Sequence, residues 1–264
     1  MKNLGLGLRI TRYLLSVFLI SGFLGFGQTV QAHEFSNWDA LLKKYVAFKI
    51  IEGIPLYAVN YQDLGNDPLY RTVIADLEKA PVEGFNTQEE KLAFLINAYN
   101  IMAVKMVLDH YPLKSIKDAG GLFSSVWKLN VGTVGGKART LNEIEHDILR
   151  KMGEPRIHVA IVCASLSCPD LRPEAYTSER LHVQLDDQMK IFLANLQKGL
   201  QVDESKQRLY LSSIFKWFAE DFEAKGGVRP FLAKYVPERV SAYLKTDTFR
   251  LSYLDYNWNL NEFK

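Results

Sequence analysis

Hydrophobic residues recur with helical spacing over most of the chain, and the longest such stretch begins after Thr87. Thr87 and Glu90 have the T-x-x-E spacing of a capping box, which satisfies free backbone N–H groups at the start of a helix. The pattern predicts a helix that continues to about His110. Between Leu92 and Leu108 the helix is apolar on nearly every face, and a helix without a polar face is typical of a protein interior.

The same periodicity predicts further helices, several of which have recognisable ends. Thr140 and Glu143 repeat the capping box, and Asp67-Pro68 places a proline in the first turn of a helix. Gly226-Gly227 is expected to end an aromatic helix that follows Ser212 and Ser213. These helices are predicted over residues 37–49, 69–79, 141–152, 179–197, 214–225, 229–234 and 237–244.

Short alternating stretches predict strands that pair mainly as hairpins. One hairpin is expected over 128–139 around Gly135-Gly136, a second over 201–211, and a strand-like stretch near the end over 249–258. Mixed helices and short hairpins favour the α+β class. We therefore expect a small, mostly antiparallel sheet packed by several helices around one long buried helix.

The stretch 156–170, R-I-H-V-A-I-V-C-A-S-L-S-C-P-D, carries both cysteines of the chain. Its β-branched residues predict a buried strand that ends at Cys163, and the small residues that follow predict a tight loop holding Cys168. Enzymes often place a nucleophile on such a loop. A local disulfide fits the same sequence.

The N-terminal residues have the composition of a secretory signal peptide. Three basic residues and no acidic one precede or flank an apolar run of 15 residues at 13–27, and the small residues up to Ala32 suit a cleavage site. Because a membrane span needs about 20 apolar residues, a cleaved signal is favoured over an anchor. The sequence thus predicts a signal peptide over 1–32 and a single domain over 33–264.

Removal of that segment changes the formal net charge from +2 to −1, so charge gives no indication of a nucleic-acid partner. No other long apolar segment predicts a membrane span after cleavage, and a periplasmic or secreted location is expected. In such an oxidising compartment the C-x4-C pair can be oxidised. The sequence indicates no cofactor, and the oligomeric state does not follow from it.

Several polar residues fall where the pattern expects apolar ones. Asn97 and Asn100 lie three apart in the long helix, and a buried unsatisfied amide costs about 1–3 kcal/mol. Either these amides hold adjacent loops by bonding backbone groups, or they line a site. Glu145 falls inside the apolar stripe of its helix and His146 at its edge. The structural alternative for Glu145 is an ion pair with Arg156.

Four stretches of the chain carry a specific combination of motifs. They are K-L-A-F-L-I-N-A-Y-N from Lys91, L-N-E-I-E-H-D-I-L-R from Leu141, R-I-H-V-A-I-V-C-A-S-L-S-C-P from Arg156 and Y-N-W-N-L-N from Tyr256. In this order, over roughly 89–261, they resemble a bacterial and plant family, the domain of unknown function 547.

The resemblance implies where a site would lie without implying a settled activity. The family usually has tryptophan at the position of Leu95 and a glycine-alanine pair at Ala164 and Ser165, so the loop beside the cysteine departs from the family pattern. The family's residue pattern falls here on Asn97, Asn100, Glu145, His146, His158, Cys163, Ser167 and Cys168.

The first functional hypothesis is a thiol hydrolase or transferase that acts on peptide-like bonds, such as peptides or cell-envelope cross-links. Cys163 would be the nucleophile and His146 its base, with Glu145 or Asn97 orienting the imidazole. His158 lies on the opposite face of a regular strand from Cys163 and would need a bulge to reach it. Substrate contacts are expected from Asn97, Asn100, His158 and Ser167.

The second hypothesis is a non-enzymatic periplasmic binding or scaffold domain with a Cys163–Cys168 disulfide, which would stabilise the fold by about 2 kcal/mol. Thiol–disulfide exchange ranks lower because the spacing is not C-x-x-C. Zinc ranks lowest because the cysteine and histidine spacings match no common site, so no metal is predicted.

Overall fold

The fold is described from a computed structural model, which defines Met1, residues 35–120 and residues 125–264. Apart from Met1, the predicted signal peptide lies outside the described residues. The predicted single domain over 33–264 stays a prediction.

The described chain begins with helix α1, Ser36–Tyr45, followed by strands β1, Val46–Ile51, and β2, Ile54–Val59. The two strands pair antiparallel over their full length. The predicted helix over 37–49 was therefore too long. Its last residues are β-branched and aromatic, and they pair with a following strand that the helical pattern did not reveal.

Helices α2, Tyr61–Asn66, and α3, Pro68–Lys79, follow the hairpin. Proline lies in the first turn of α3 as predicted, and the side chain of Asp67 caps the helix by accepting a hydrogen bond from the Leu69 N–H at 2.9 Å.

Helix α4, Gln88–Asp109, is the long buried helix that the sequence predicted. The Thr87 hydroxyl accepts a hydrogen bond from the Glu90 N–H at 3.1 Å, while the Glu90 carboxylate bonds the Asn86 N–H instead of completing the box at Thr87. Among the described helices, α4 alone is long and apolar enough to cross a membrane. In its most apolar 18-residue stretch, 83% is buried inside the protein, so α4 lies in the core.

The predicted glycine hairpin consists of β3, Asn130–Val134, and β4, Lys137–Thr140. Thr140 and Glu143 then form the predicted capping box in full, with reciprocal bonds of 2.9 and 3.0 Å. The turn that follows is wider than an α-helix: Glu143–Leu149 is a π-helix, and the Arg150 N–H bonds the carbonyl of Glu145. Segments of π-helix are rare and often mark functional sites.

The predicted strand before Cys163 is wrong. Pro155–Val159 is a 3-10 helix, opened by the proline and by the Glu154 carboxylate, which accepts from the Arg156 N–H at 3.0 Å. The β-branched residues here are buried without forming a strand. The backbone after this turn is hydrogen-bonded to a side-chain amide of α4, which takes the place of a neighbouring strand.

The C-terminal part contains helix α5, Leu181–Ala194, strands β5 and β6, Leu200–Asp203 and Arg208–Leu211, and helix α6, Ile214–Trp217. A 3-10 helix, Ala219–Lys225, follows α6 where the sequence predicted one continuous helix. Helices α7 and α8, Val228–Leu232 and Glu238–Leu244, then lead to β7, Arg250–Tyr253.

The strands form small separate sheets, and the α+β class is confirmed. The β5–β6 hairpin is antiparallel as predicted, and β7 adds to β6 in parallel. The apolar residues form two main clusters, one around α4 and one around α5, β6 and α6. The 3-10 helix Pro155–Val159 contributes Ile157 to the first cluster and Val159 to the second, which places the following cysteine loop beside both.

Candidate active site

Cys163 is held on a tight turn that packs against the apolar cluster around α4. Ala164, the next residue, is buried and has a φ of +55°, a left-handed conformation that favours glycine. This is one of the positions at which the chain departs from the resembled family, so alanine is held here in a conformation that glycine adopts without strain.

The C-terminal segment holds the cysteine loop in place by backbone pairing. The N–H groups of Leu166 and Ser167 donate to the carbonyls of Asn259 and Asn257, and the Asn257 N–H returns a bond to the Ser167 hydroxyl at 2.8 Å. The Asn261 N–H bonds the carbonyl of Ala164. The Y-N-W-N-L-N motif therefore serves first to fix the loop that carries Cys163.

The two asparagines of α4 hold backbone groups. The amide of Asn100 donates to the carbonyl of Ala160 at 2.9 Å and accepts from the Val162 N–H at 3.0 Å. Asn97 makes the same pair of bonds to the backbone of Tyr176, at 2.8 and 3.0 Å. Each amide thus donates from its nitrogen and accepts at its oxygen, as expected if the two asparagines hold adjacent loops.

Three of the four residues predicted to contact substrate lie outside the lining of the cavity beside Cys163, and their role stays a prediction. Asn97, Asn100 and Ser167 are buried, they bond backbone groups, and they do not line the cavity beside Cys163. His158, the fourth predicted contact, does line that cavity.

The cavity beside Cys163 has a volume of about 140 Å³. Trp217 is 47% exposed and stacks on Trp258 with ring centroids 6.0 Å apart, and Tyr256 packs against both rings. Trp127 continues this aromatic rim. The cavity as a whole is lined by Tyr99, Trp127, Glu145, His146, His158, Ile161, Val162, Cys163, Cys168, Pro169, Ile214, Trp217, Phe218, Tyr256 and Trp258.

The thiol of Cys163 is partly exposed in this cavity and is surrounded by hydrogen-bond donors. Its sulfur lies 3.2 Å from the Ser165 hydroxyl and 3.1 Å from the Tyr256 hydroxyl. Burial acts to raise the pKa of Cys163, but hydrogen bonds from Cys168, Ser165 and Tyr256 to the thiolate outweigh burial and lower this pKa below its ordinary value. Since a thiolate has no proton, both hydroxyls must donate to it.

Cys168 is the buried partner of this thiol. Its sulfur accepts a hydrogen bond from the Cys163 N–H at 2.8 Å, and burial followed by the contact with Cys163 raises its pKa well above the ordinary value. Both cysteines are free, so the Cys163–Cys168 disulfide of the scaffold hypothesis is not supported. The Cys168 sulfur instead bonds the backbone N–H of Cys163.

Glu145 lines the same cavity and bonds a buried tyrosine. The Tyr99 hydroxyl donates to its carboxylate at 3.0 Å. Burial raises the pKa of Glu145 to about 7, and the bond from Tyr99 offsets only part of that effect. The expected ion pair with Arg156 is absent, because that guanidinium bonds Glu154 and Asp186.

The two imidazoles at the cavity have different partners. Nδ1 of His146 lies 2.8 Å from Nη1 of Arg150, and Nε2 of His158 lies 2.6 Å from the Asp221 carboxylate. Neither Glu145 nor Asn97 orients His146, and within the described chain neither ring is hydrogen-bonded to the Cys163 sulfur. The cavity therefore brings Cys163, His146, Glu145 and His158 together without forming a direct sulfur–imidazole contact.

Comparison with known proteins adds one finding. Residues 82–193 match the family described as "Protein of unknown function, DUF547". This segment belongs to the DUF547 family. No curated protein and no solved structure matches the chain significantly.

The DUF547 segment contains both cysteines, Glu145 and both cavity imidazoles, but it does not complete the cavity. Trp217, Asp221 and Tyr256 come from beyond residue 193. The sequence singled out neither Tyr256 nor Asp221 as a site residue, although Tyr256 opens the Y-N-W-N-L-N motif. No sequence pattern links either residue to Cys163, because they are far apart in the chain.

The acidic, cysteine and histidine side chains suggest no metal centre. Among residues 1, 35–120 and 125–264, no group of three or more is arranged to hold an ion.

Proposed function

We propose that the cavity beside Cys163 is the active site of a cysteine-dependent hydrolase or transferase in which Cys163 is the nucleophile. The observation that carries the proposal is the position of its sulfur, partly exposed in an aromatic-rimmed cavity and within 3.2 Å of two hydroxyls. A thiolate is the reactive form of cysteine, and donors directed at it raise its population at neutral pH.

The proposed reaction is acyl transfer from a peptide-like bond. The Cys163 thiolate attacks the carbonyl carbon, a C–S bond forms, and the C–N bond breaks as the leaving amine takes a proton. Glu145 is suited to supply that proton, because its pKa of about 7 leaves it partly protonated at neutral pH. Water or an amine then attacks the thioester and releases Cys163 as a thiolate.

The size of the cavity limits what enters it. About 140 Å³ admits a small acyl group, while the exposed ring of Trp217 extends the apolar surface outward. A peptide or a peptide cross-link of the cell envelope, bound with one carbonyl at Cys163, fits this shape.

A location outside the cytoplasm is part of the proposal and is supported by composition alone, namely the basic residues and the apolar run before Ala32. N-terminal sequencing of the protein from an envelope fraction is expected to begin at His33. A cytoplasmic protein that retains Met1 would contradict export.

An acyl-enzyme trap tests the catalytic proposal. The protein is mixed with p-nitrophenyl acetate, an acyl donor small enough for the cavity, and examined by intact mass and peptide mapping. We expect one acetyl group on Cys163 and loss of acetylation in Cys163→Ser. In Cys168→Ser the acetyl group should still be on Cys163, although the rate can change because Cys168 bonds that thiolate. Acetylation spread over lysines, or equal labelling in Cys163→Ser, would refute the proposal.

A further inference from the structure

A chain of hydrogen bonds connects the two imidazoles of the cavity through one arginine. Arg150 donates to Nδ1 of His146 at 2.8 Å and makes a bidentate pair with Asp221 at 2.7 and 2.8 Å. Asp221 in turn bonds Nε2 of His158 at 2.6 Å. Phe218 stacks on the His158 ring at 4.1 Å and contacts the His146 ring at 6.1 Å, so both rings are packed against one surface.

The chemistry of these partners determines which ring nitrogens carry protons. A guanidinium has donors only, so Nδ1 of His146 must accept and the neutral ring carries its proton on Nε2. A carboxylate has acceptors only, so Nε2 of His158 must donate and its neutral ring keeps a lone pair on Nδ1. The two imidazoles are thus held in opposite tautomers.

The surroundings of both rings favour their neutral forms. Burial, followed by the charge of Arg150, lowers the pKa of His146 against the opposing charges of Asp147, Asp221 and Glu220. Burial also lowers the pKa of His158, and the bond to Asp221 opposes this only in part, with Arg150 and His146 acting in the same direction as burial.

Asp221 itself stays ionised. Burial acts to raise its pKa, but the bonds from His158 and Arg150 outweigh burial and hold the pKa well below the ordinary range. The acceptor that fixes the His158 tautomer is therefore present throughout the range in which proteins are active.

We propose that Arg150 is a positioning residue that divides the proton chemistry of the cavity between its two imidazoles. His146 presents an Nε2–H donor to the carbonyl oxygen, which gains negative charge when the C–S bond forms. His158 presents Nδ1 as the acceptor for the proton of the nucleophile that attacks the thioester. This division rests on the proposed function and differs from the sequence prediction, in which His146 was the base.

The proton transfers of this mechanism balance with Glu145, His158 and water as the only participants besides the substrate. In the first step Glu145 gives its proton to the leaving amine and becomes a carboxylate. In the second step the C–O bond to water forms, one water proton goes to His158, and the C–S bond breaks to return the thiolate. Transfer of the proton from His158 back to Glu145 restores the starting state.

The first test reads the tautomers of the resting protein, with no substrate present. Ring nitrogen chemical shifts in protein labelled with ¹⁵N-histidine are expected to show His146 protonated at Nε2 alone and His158 unprotonated at Nδ1 at pH 7. Assignment uses His146→Gln and His158→Gln. A His146 ring protonated at Nδ1, or rings that exchange freely between tautomers, would overturn the proposal.

The second test removes the positioning group. In Arg150→Gln the His146 ring is expected to populate both tautomers, with a slower acetyl transfer to water after the p-nitrophenyl acetate reaction. In a second variant, His146→Ala, the rate of this acetyl transfer is expected to fall about 100-fold, which is the effect of removing one donor at a developing oxyanion. If Arg150→Gln does not fold, the wild-type tautomers still decide the question.

The chain offers a matched control for the arginine. Arg156 makes the same type of contact, 2.9 Å from Nδ1 of His182, together with ion pairs to Glu154 and Asp186, but it does not line the cavity. Arg156→Gln should leave the His146 and His158 signals and the acetyl-transfer rate unchanged. An equal loss of rate in both arginine variants would identify a general structural effect and contradict positioning.

The outcomes separate this inference from the proposed function. The expected tautomers in a protein whose Cys163 is never acetylated would support the network and refute the enzyme. Acetylation at Cys163 with the opposite tautomers would support the enzyme and refute the role of Arg150.

Discussion

Removal of the Tyr256 hydroxyl is the most informative single perturbation of this site. Tyr256→Phe deletes the group 3.1 Å from the Cys163 sulfur and keeps the ring that packs on Trp217 and Trp258. The variant therefore changes the stabilisation of the thiolate while it retains the aromatic rim.

The size of the effect follows from the bond that is lost. A hydrogen bond to a charged group contributes about 1.5–3 kcal/mol, and one pKa unit corresponds to about 1.4 kcal/mol. The pKa of Cys163 should therefore rise by about 1–2 units in Tyr256→Phe. Below that pKa, the thiolate fraction should fall by about 10- to 100-fold.

The assay is the rate of alkylation by iodoacetamide as a function of pH, with peptide mapping to assign the modified cysteine. The control is Tyr176→Phe, since the Tyr176 hydroxyl is buried without a hydrogen-bond partner in the described part of the chain and does not line the cavity. An unchanged alkylation midpoint in Tyr256→Phe would refute the claim that this hydroxyl donates to a thiolate.

Three further predictions concern stability. Asn100→Ala removes both bonds to the backbone before Cys163 and should lower the free energy of unfolding in urea by about 2–4 kcal/mol, against less than about 0.5 kcal/mol for the exposed Asn86→Ala. Burial raises the pKa of Glu145 from 4.5 to about 7, so the folded state binds this proton more tightly than the unfolded chain and stability is lost as pH rises from about 4.5 through 7. Urea titrations from pH 4 to 8 should show Glu145→Gln without this loss and more stable than the parent at pH 8 by up to about 3 kcal/mol; an identical pH slope in both proteins would contradict the buried carboxyl. Ala164→Val should lower the thermal stability by about 2 kcal/mol, because a branched side chain is strained at a φ of +55°, whereas Ala164→Gly should change it by less than about 1 kcal/mol; equal effects of the two would contradict the left-handed turn.

Local signals in the sequence predicted the fold where local chemistry decides it. The capping box at Thr140, the Thr87 half of the other box, the helix start at Pro68 and the glycine hairpin at 135–136 formed as expected, because a cap or a turn involves residues only a few positions apart. The apolar α4 was predicted for the same reason, since its burial follows from its own composition.

The failures occurred where distant residues decide the conformation. The run at 157–162 has the composition of a strand, but Asn100 supplies the hydrogen bonds that a neighbouring strand would have supplied, and the chain turns instead. The predicted helix over 37–49 ended early because 46–51 pairs with a following strand. In both cases tertiary partners override local preference.

The candidate site likewise contains residues that local sequence signals indicated and others that depend on distant contacts. The sequence identified Cys163, His146, Glu145 and His158, which line one cavity, because each is an unusual residue in an apolar setting. It did not identify Tyr256 as a donor to the sulfur, since their proximity depends on how the C-terminal segment folds back onto the cysteine loop.

Whether Cys163 is an activated thiol is tested by the pH midpoint of alkylation of each cysteine in the unmodified protein. Both thiols are present in one molecule, so each serves as the reference for the other. Cys163 is expected to be alkylated with a midpoint below its ordinary pKa of 9.0, while the buried Cys168 reacts far more slowly. A Cys163 midpoint at or above 9.0, or equal rates at the two sulfurs, would contradict this expectation.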